Sequence, residues 1–412
     1  MKLSIFTIIL LLFQGTISNF VPIFQYYDET VMILILGIST IKVLKYRKIN
    51  ISREEILTIF LLILYLIVGI ISNNINKINS CKIQYLLSAI QSSKLILTFI
   101  LARICFNKIK INYKFLNKIY KFFNLVILFY VVLIIANIPF NFLFGWGKRY
   151  KIIETVSIGF SHPAELDFLA LSILVIQLFL IIILNKKMKL YKLTCIQVFI
   201  IVLFTGRTKS MVFLIAYTII LFFKKIVKKI NLGHVLIVGI SAIFLGKERI
   251  MSEFINDDGV RGNLYQVGFK IANDFFPLGS GFGTYGTEIS RKFYSSLYYY
   301  YGLNTKYGLS PDWPAFITDA HWASILGETG WFGVIVYALI ILLLTNLIIK
   351  YKKDTKIIIA ISGLWIYGIL SSFSDTILIS YRGVAIAIIT AFFMRTFESY
   401  KQDLSYQESK IL

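Results

Sequence analysis

Long apolar runs, separated by short polar stretches, follow one another along most of the chain. A helix needs about 20 apolar residues to cross roughly 30 Å of hydrocarbon, and only helices satisfy their own backbone amides there without water. The pattern therefore predicts an all-α, polytopic integral membrane protein with about 12 transmembrane helices. The predicted spans are residues 3–20, 29–44, 55–72, 84–106, 121–138, 165–184, 191–205, 209–223, 234–247, 322–349, 356–373 and 383–397.

One segment, residues 248–320, is too long to be a simple connection between the ninth and tenth predicted spans. Connecting segments of this length are usually functional. We therefore expect four parts along the chain: transmembrane helices 1 to 9 in residues 1–247, a large outward loop with active-site elements in 248–320, transmembrane helices 10 to 12 in 321–400, and a cytoplasmic tail in 401–412.

Composition and charge agree with this class of protein. Hydrophobic residues make up 57% of the chain and charged residues 16%, which excludes an ordinary soluble domain. The net charge of +22 comes mainly from every second connection, namely residues 42–53, 108–121, 186–192, 224–229 and 350–356. The positive-inside rule then places both termini in the cytoplasm, and anionic lipid accounts for the charge without a nucleic-acid partner.

The first apolar run and the cysteines change this picture little. The run at residues 3–20 is compatible with a signal peptide, but no small-residue cleavage pattern follows it, which favours an uncleaved span. Cys81, Cys105 and Cys195 lie in or beside different spans and lack the spacing of metal ligands. They predict neither a disulfide framework nor a zinc site.

The stretch PLGSGFGTYG, residues 277–286, is the first candidate for chemistry. Glycine lets the backbone approach an anion closely, so Gly281, Gly283 and the neighbouring Tyr285 are candidate substrate contacts. The stretch follows no predicted strand and lacks a GK[ST] ending, which excludes a nucleotide-binding loop. A turn-rich loop without a ligand is the alternative.

Two cationic stretches form the second candidate. In TGRTKS, an outward turn between two apolar helices, the planar fork of Arg207 suits phosphate oxygens and Lys209 adds a second cation. Both side chains could equally extend to lipid headgroups. Arg261, in DDGVRGN, is a further candidate anion ligand, or it pairs with Asp257 or Asp258.

The stretch FITDAHWASILGETGWFG holds the third candidate, His321. Thr318 or Asp319 can cap the helix that follows, which puts His321 in its first turn. The positive end of the helix dipole keeps a histidine there neutral and able to accept a proton. Glu328 returns to the same face after two turns and could orient the ring. A polar cap at a membrane interface is the competing interpretation of this histidine.

Two further features are open to more than one interpretation. The tyrosines between positions 294 and 301 could stack on sugar rings or form an interfacial aromatic belt. Lys94 lies near the middle of the fourth predicted span, where a charge is either functional or part of an ion pair. Asp167 and Asp375 are the partners that we expect for it.

Together these stretches resemble the O-antigen polymerase and O-antigen ligase family of bacterial membrane enzymes. The resemblance rests on the number of spans, on TGRTKS at an outward turn, on the large loop with Arg261 and FPLGSGFGTYG, and on AHWASILGETGWFG at its exit. It covers mainly residues 200–340, whereas the first 190 residues match only in hydropathy. The residues that match the exit motif are His321, Ser324, Ile325, Glu328, Gly330 and Gly333.

The chain departs from the family pattern at two positions. Trp322 stands where the family often has a small polar residue, and Thr205 stands where serine often precedes the arginine. The first departure argues against a side-chain amide acting at that position.

The resemblance implies glycosyl transfer outside the cytoplasmic (inner) membrane of a bacterium. The donor is a polyprenyl-diphosphate-linked glycan and the acceptor a sugar hydroxyl, with no cofactor, nucleotide sugar or metal. His321 is then the general base toward the acceptor, and Arg207 with Arg261 binds the diphosphate that departs. Glu328 either orients His321 or supports the helix.

Within this family we expect a polymerase of O-antigen or capsule, which joins one lipid-linked repeat unit to another. The basic residues of 248–320 are scattered rather than grouped for the phosphorylated core of lipid A, which disfavours a ligase. A ligase that acts on lipid A core or a surface acceptor, a lipid-linked oligosaccharide flippase and a length-regulating scaffold are the alternatives. The expected partners are the lipid-linked oligosaccharide, membrane lipid and a chain-length regulator protein.

Overall fold

The computed structural model describes residues 1–46, 51–78, 81–138, 145–149, 153–222, 259–350 and 355–408. Regular structure in these ranges is almost entirely α-helical, as the apolar pattern predicts. The only strands there form one antiparallel hairpin, β1 (Gly145–Arg149) and β2 (Ile153–Val156).

Nine helices precede the gap in the described ranges at residues 223–258, and six follow it. The first nine are α1 (Lys2–Leu12), α2 (Gln14–Phe20), α3 (Tyr27–Tyr46), α4 (Arg53–Asn76), α5 (Lys82–Cys105), α6 (Tyr113–Asn137), α7 (Pro163–Ile183), α8 (Met188–Thr205) and α9 (Thr208–Phe222). The other six are α10 (Val260–Asp274), α11 (Glu288–Lys292), α12 (Ser296–Tyr300), α13 (His321–Ile349), α14 (Thr355–Ser372) and α15 (Tyr381–Glu408). Short 3-10 turns lie at Pro22–Tyr26, Leu303–Thr305 and Ile377–Ile379.

Six helices of the described ranges are long and apolar enough to cross a membrane: α4, α5, α6, α7, α8 and α13. Helices α1 and α2 qualify as a seventh only if they count as one span, since they bend by 67° where they meet. Large apolar side chains on the outer faces are left uncovered, for example Ile63, Leu125 and Leu342, which are 52%, 66% and 63% exposed. Apolar surface of this extent fits contact with lipid.

Twelve spans are predicted from the sequence, which is more than the six or seven helices that qualify in the described ranges. Helices also lie at the predicted spans 29–44, 209–223, 356–373 and 383–397, but they are shorter or carry more charged residues. The predicted span 234–247 is outside the described ranges. A multi-pass helical membrane protein is therefore supported, and the count of twelve stays a prediction.

Helix α7 forms the centre of the bundle. Nearly every residue of α7 is buried, and it packs against α6, α8 and α14. The helix is apolar all round, which is typical of an interior position. Pro163 occupies its first turn, and the side chain of His162 accepts a hydrogen bond from Ala164 N at its start. Helix α13 packs against α4 and α10, and α15 packs against α5.

Residues 259–320, here called the cap segment, form a compact unit with an apolar core of their own. Its buried side chains include Leu264, Val267, Ile271, Tyr285 and Tyr298. The cap segment rests on the membrane helices through α10, which packs against α13. The described part of the predicted large loop is thus folded, while residues 248–258 lie outside the described ranges.

A break inside α13 joins it to the cap segment. Gly330 has φ 63° and ψ −167°, and a Cβ on it would lie 2.4 Å from the carbonyl oxygen of Pro277, so only glycine fits. The break removes a helical hydrogen bond between Phe332 N and Glu328 O. Instead, Phe332 N donates to Pro277 O at 3.4 Å and Glu328 O accepts from Gly281 N at 2.8 Å. The cap segment therefore satisfies backbone groups that the break would leave unpaired.

Candidate functional site

His321 is the first residue of α13, as the sequence predicts, but the predicted cap is wrong. The N-cap residue is Ala320, and no side chain caps the helix. Asp319 does not cap because its carboxylate instead accepts a hydrogen bond from Arg261 Nη2 at 2.7 Å. The ion pair with Arg261 therefore engages the carboxylate that the local sequence predicts as the helix cap.

The imidazole of His321 is enclosed by aromatic rings and is 1% exposed. Its Nε2 atom lies 3.3 Å from the hydroxyl of Tyr337, and the ring of Trp322 packs beside it. Its Nδ1 atom has no hydrogen-bond partner within the described ranges. In the tautomer whose Nε2 donates to Tyr337, Nδ1 carries no hydrogen and can accept a proton.

The carboxylate of Glu328 is held by the cap segment. Its Oε1 atom accepts from Gly283 N at 2.7 Å, from Tyr285 N at 3.3 Å and from Thr287 Oγ1 at 3.0 Å. Its Oε2 atom accepts from Ser88 Oγ of α5 at 3.4 Å. These contacts, and none to His321 in the described part of the chain, favour the supporting role that the sequence left open for Glu328.

The glycine-rich stretch binds a carboxyl group that belongs to the protein itself, that of Glu328. Its amides donate to the Glu328 side chain, to α13 carbonyls and to the side chains of Asn73 and Tyr298 rather than to an open surface, and Gly281 and Gly283 are buried. Tyr285 is fully buried and donates its hydroxyl hydrogen to Leu264 O at 2.6 Å. Of the four candidate substrate contacts, only Lys209 has an accessible side chain, at 23% exposed.

The turn between α8 and α9 brings Arg207 and Lys209 to one end of the bundle. Gly206 ends α8 with φ 62°, a left-handed conformation that suits glycine. Lys209 Nζ lies 3.4 Å from Asp375 Oδ2. Arg382 contacts the same carboxylate with both Nη atoms, at 3.0 and 2.9 Å.

Arg261 approaches the same region from the cap segment. Its partner Asp319 also interacts electrostatically with Lys209 and Arg207, and Asp375 interacts with His321. Asp257 and Asp258, the other predicted partners of Arg261, lie outside the described ranges. We call Arg207, Lys209, Arg261, Arg382, Asp319 and Asp375 the basic cluster.

The two carboxylates of the basic cluster differ in how their surroundings act on them. Burial raises the pKa of Asp319 above its ordinary value, although Arg261 opposes the shift. Burial would also raise the pKa of Asp375, but Arg382, Lys209 and Arg207 together hold it below its ordinary value. Asp375 is therefore the fixed counter-charge that holds the cations in place.

Two residues near this site, Arg382 and His162, were not predicted from the sequence, and Asp375 was predicted only as a partner of Lys94. Arg382 and Asp375 form an ion pair between two predicted spans, seven positions apart. The position of Arg382 at the start of an apolar helix was the one sequence feature that could have indicated a site there. His162 receives a hydrogen bond from Arg207 Nη2 at 2.7 Å and also accepts one from Ala164 N, 3.2 Å away. Nothing in the sequence connects His162 with Arg207, because the two are brought together only by the packing of α7 against α9.

Lys94 is buried in an ion pair, but with different partners from those predicted. Its Nζ atom lies 2.9 Å from Asp28 Oδ2 and also pairs with Glu29, both in the first turn of α3. The predicted partners are occupied elsewhere, since Asp167 accepts from Ser210 and Tyr367 while Asp375 binds Arg382. The packing of α3 against α5 brings the acidic first turn to Lys94.

The tyrosines between positions 294 and 301 divide into two groups. Tyr298 is fully buried in the core of the cap segment and its hydroxyl accepts from Gly286 N at 2.9 Å. Tyr299 and Tyr300 are 55% and 79% exposed. Tyr294 and Tyr301 are also partly exposed, so the second group comprises every tyrosine of this set except Tyr298 and is available for contact with a sugar or with a membrane surface.

No group of three or more His, Cys, Asp or Glu residues in the described ranges could hold a metal ion. Comparison of the chain with protein-family models and with curated proteins finds no match to either.

Proposed function

We propose that this protein is a membrane-embedded glycosyltransferase that polymerises a surface polysaccharide, O-antigen or capsule, from lipid-linked repeat units. The observation that carries the proposal is the convergence of Arg207, Lys209, Arg261 and His321, which come from three separate segments of the chain. These residues meet at the end of the bundle that the cap segment covers. Cations next to a neutral histidine suit a reaction that expels a diphosphate and takes up a proton.

The reaction joins the anomeric carbon of the donor glycan to an oxygen of the acceptor sugar. The bond from that carbon to the polyprenyl diphosphate breaks, and the diphosphate leaves with the electron pair. Arg207 and Arg261 offer planar forks to its oxygens, and Lys209 adds a point charge. An arriving diphosphate takes the place of the Asp319 carboxylate at Arg261, while Asp375 stays bound to Arg382 and Lys209, so the cations are already positioned before the donor binds.

His321 accepts the proton of the acceptor hydroxyl in this proposal. Its available Nδ1 atom and its position in the first turn of α13 suit a neutral base. Because the ring is 1% exposed, a hydroxyl reaches it only when Trp322 or Tyr337 moves aside. Donor binding at the adjacent basic cluster is the event that would accompany this movement.

The proposal includes a location and an orientation. Twelve spans with both termini in the cytoplasm put the cap segment outside the cytoplasmic membrane of a bacterium, where lipid-linked repeat units are exposed. The basic connections between the apolar runs support this orientation. Membrane lipid and a chain-length regulator protein are the proposed partners besides the substrate.

Purified protein in proteoliposomes with lipid-linked repeat units tests the proposal against its alternatives. Elongated glycan on the lipid carrier is the expected product. A change in the sidedness of the repeat units without elongation would make the protein a flippase, and neither result would make it a scaffold.

A deletion strain separates polymerase from ligase, which differ in their acceptor. Loss of a polymerase leaves single repeat units on the final acceptor, because the transfer to that acceptor still works. Loss of a ligase leaves long polymer on the polyprenyl carrier. The second result would contradict the polymerase proposal.

A further inference from the structure

A polar cavity of about 240 Å³ lies between α3, α5, the cap segment and the segment that precedes α15. Pockets that enclose a whole small-molecule ligand typically measure about 300–1,000 Å³, so this cavity suits one sugar residue rather than a chain. The lining residues that matter here are Gln25, Asp28, Glu29, Gln91, Lys94 and Glu288.

The charged groups of the cavity are mostly carboxylates. Lys94 is held by Asp28 and Glu29, which leaves Glu288 as a third carboxylate in the lining. Glu288 in turn pairs with Arg291 on the cap segment. An anionic ligand would meet more negative than positive groups here, so the cavity favours a neutral or amine-bearing ligand.

Two acceptor atoms in this lining have no donor. Glu29 Oε2 and Gln91 Oε1 lack a hydrogen-bond partner within the described ranges. Enclosed polar atoms are normally paired, so two unpaired acceptors in one cavity indicate a missing donor. Both side chains are partly exposed, while the two oxygens themselves are buried, so a ligand in the cavity reaches them only after their terminal groups rotate. Hydroxyl groups of a sugar are donors of the required kind.

The cavity adjoins the basic cluster through three segments of the chain. Its lining includes Thr318, Thr376 and Tyr381, which directly neighbour Asp319, Asp375 and Arg382 in sequence. Adjacent Cα atoms are about 3.8 Å apart, so a sugar in the cavity lies beside the groups that would bind the diphosphate. This is the position that an acceptor must take during transfer.

We propose that this cavity binds the terminal sugar of the acceptor glycan, through hydrogen bonds from its hydroxyls to Glu29 and Gln91, and that it selects a sugar without a carboxylate. The inference rests on the glycosyl transfer proposed above, because that reaction supplies the acceptor. In this proposal, the ion pair with Lys94 holds Glu29 at the cavity wall.

Calorimetric titration tests the cavity without any donor. The probe is the oligosaccharide repeat unit released from the cell's own surface polysaccharide, added to the detergent-purified protein. Gln91→Leu and Thr318→Val each remove hydrogen-bonding capacity at nearly constant size, and each should raise the Kd by roughly 3- to 10-fold. The control is Gln84→Leu, the same substitution as Gln91→Leu on the same helix but outside the cavity lining, and it should leave the Kd unchanged. Oxidation of the terminal primary hydroxyl to a carboxylate should raise the Kd by roughly 10-fold or more.

The outcomes distinguish this inference from the proposed function. Undetectable binding to the wild-type protein, or a Kd that neither cavity variant changes, overturns the cavity assignment even if the protein elongates glycans. A Kd that responds to both cavity variants but not to Gln84→Leu supports the assignment. If the protein then fails to elongate lipid-linked repeat units, the proposed glycosyl transfer is wrong, but the assignment of the cavity as a sugar-binding site is retained.

Discussion

The Oε1 atom of Glu328 accepts a hydrogen bond from the backbone amide of Gly283 at 2.7 Å, across 45 positions of the chain. This contact fixes the glycine-rich stretch of the cap segment against α13, within two turns of His321. The break at Gly330 lies on the other side of Glu328 and is filled by the same stretch. The glycine-rich stretch thus contacts α13 at both Glu328 and Gly330, and these contacts fix the part of the helix that begins with His321.

Removal of the Glu328 carboxylate should destabilise the cap segment more than it affects chemistry. Glu328→Ala leaves the amides of Gly283 and Tyr285 buried without an acceptor, which costs about 3–5 kcal/mol of unfolding free energy. Glu328→Gln keeps one carbonyl acceptor and should cost about 1–2 kcal/mol. Thermal unfolding in detergent measures both. A Glu328→Gln protein of normal stability that has lost its activity would instead favour the orienting role toward His321.

Gly330 should not tolerate a side chain. Gly330→Ala forces a left-handed conformation on alanine and places Cβ 2.4 Å from Pro277 O, so we expect a loss of roughly 3 kcal/mol or more. Gly37→Ala, in α3, is the matched control because a Cβ there meets nothing within 4 Å. The control should be neutral or stabilise by up to about 1 kcal/mol. Equal unfolding temperatures for the two variants would refute the account of the helix break.

Much of the helical framework follows from the hydropathy pattern, because an apolar stretch of sufficient length has few other stable forms in a membrane. TGRTKS also lies at a turn between two helices and His321 at a helix start, as predicted, while the outward orientation of the turn stays a prediction. Their convergence with Arg261 depends on the packing of α10 against α13, which the hydropathy pattern does not predict.

The exact partners did not follow from the sequence, since they depend on which helices become neighbours. Lys94 pairs with the acidic first turn of α3, and Asp319 pairs with Arg261 instead of capping α13. The amides of PLGSGFGTYG predict a bound acceptor group, and the group that they bind is the carboxyl group of Glu328. Local sequence thus indicates the kind of group that is needed, whereas tertiary packing selects the individual residue.

The orientation of the cap segment can be tested with single cysteines after the native Cys81, Cys105 and Cys195 are replaced. Ser296 is exposed, so Ser296→Cys should react with an impermeant thiol reagent in intact cells or spheroplasts. Ser280→Cys should stay unlabelled until the protein unfolds, because Ser280 is fully buried. Lys187→Cys, exposed in a connection that we predict to be cytoplasmic, should label only after lysis. The reverse pattern for positions 296 and 187 would invert the topology.

The planar guanidinium group of Arg207 should contribute to elongation activity through its geometry as well as through its charge. Arg207→Lys keeps the cation but loses bidentate contact with phosphate oxygens, so elongation should fall roughly 10- to 1000-fold while the protein still inserts. Arg53→Lys makes the same change at an exposed position that begins α4 and should leave elongation unchanged. Full activity in Arg207→Lys would reduce that residue to a contact with lipid headgroups.

The rate at which purified protein elongates lipid-linked repeat units, compared between wild type and His321→Ala, tests the central claim most directly. Loss of a general base should slow elongation by roughly 10²- to 10⁴-fold, with membrane abundance and unfolding temperature close to those of the wild type. Elongation by His321→Ala at a rate near that of the wild type would contradict the account.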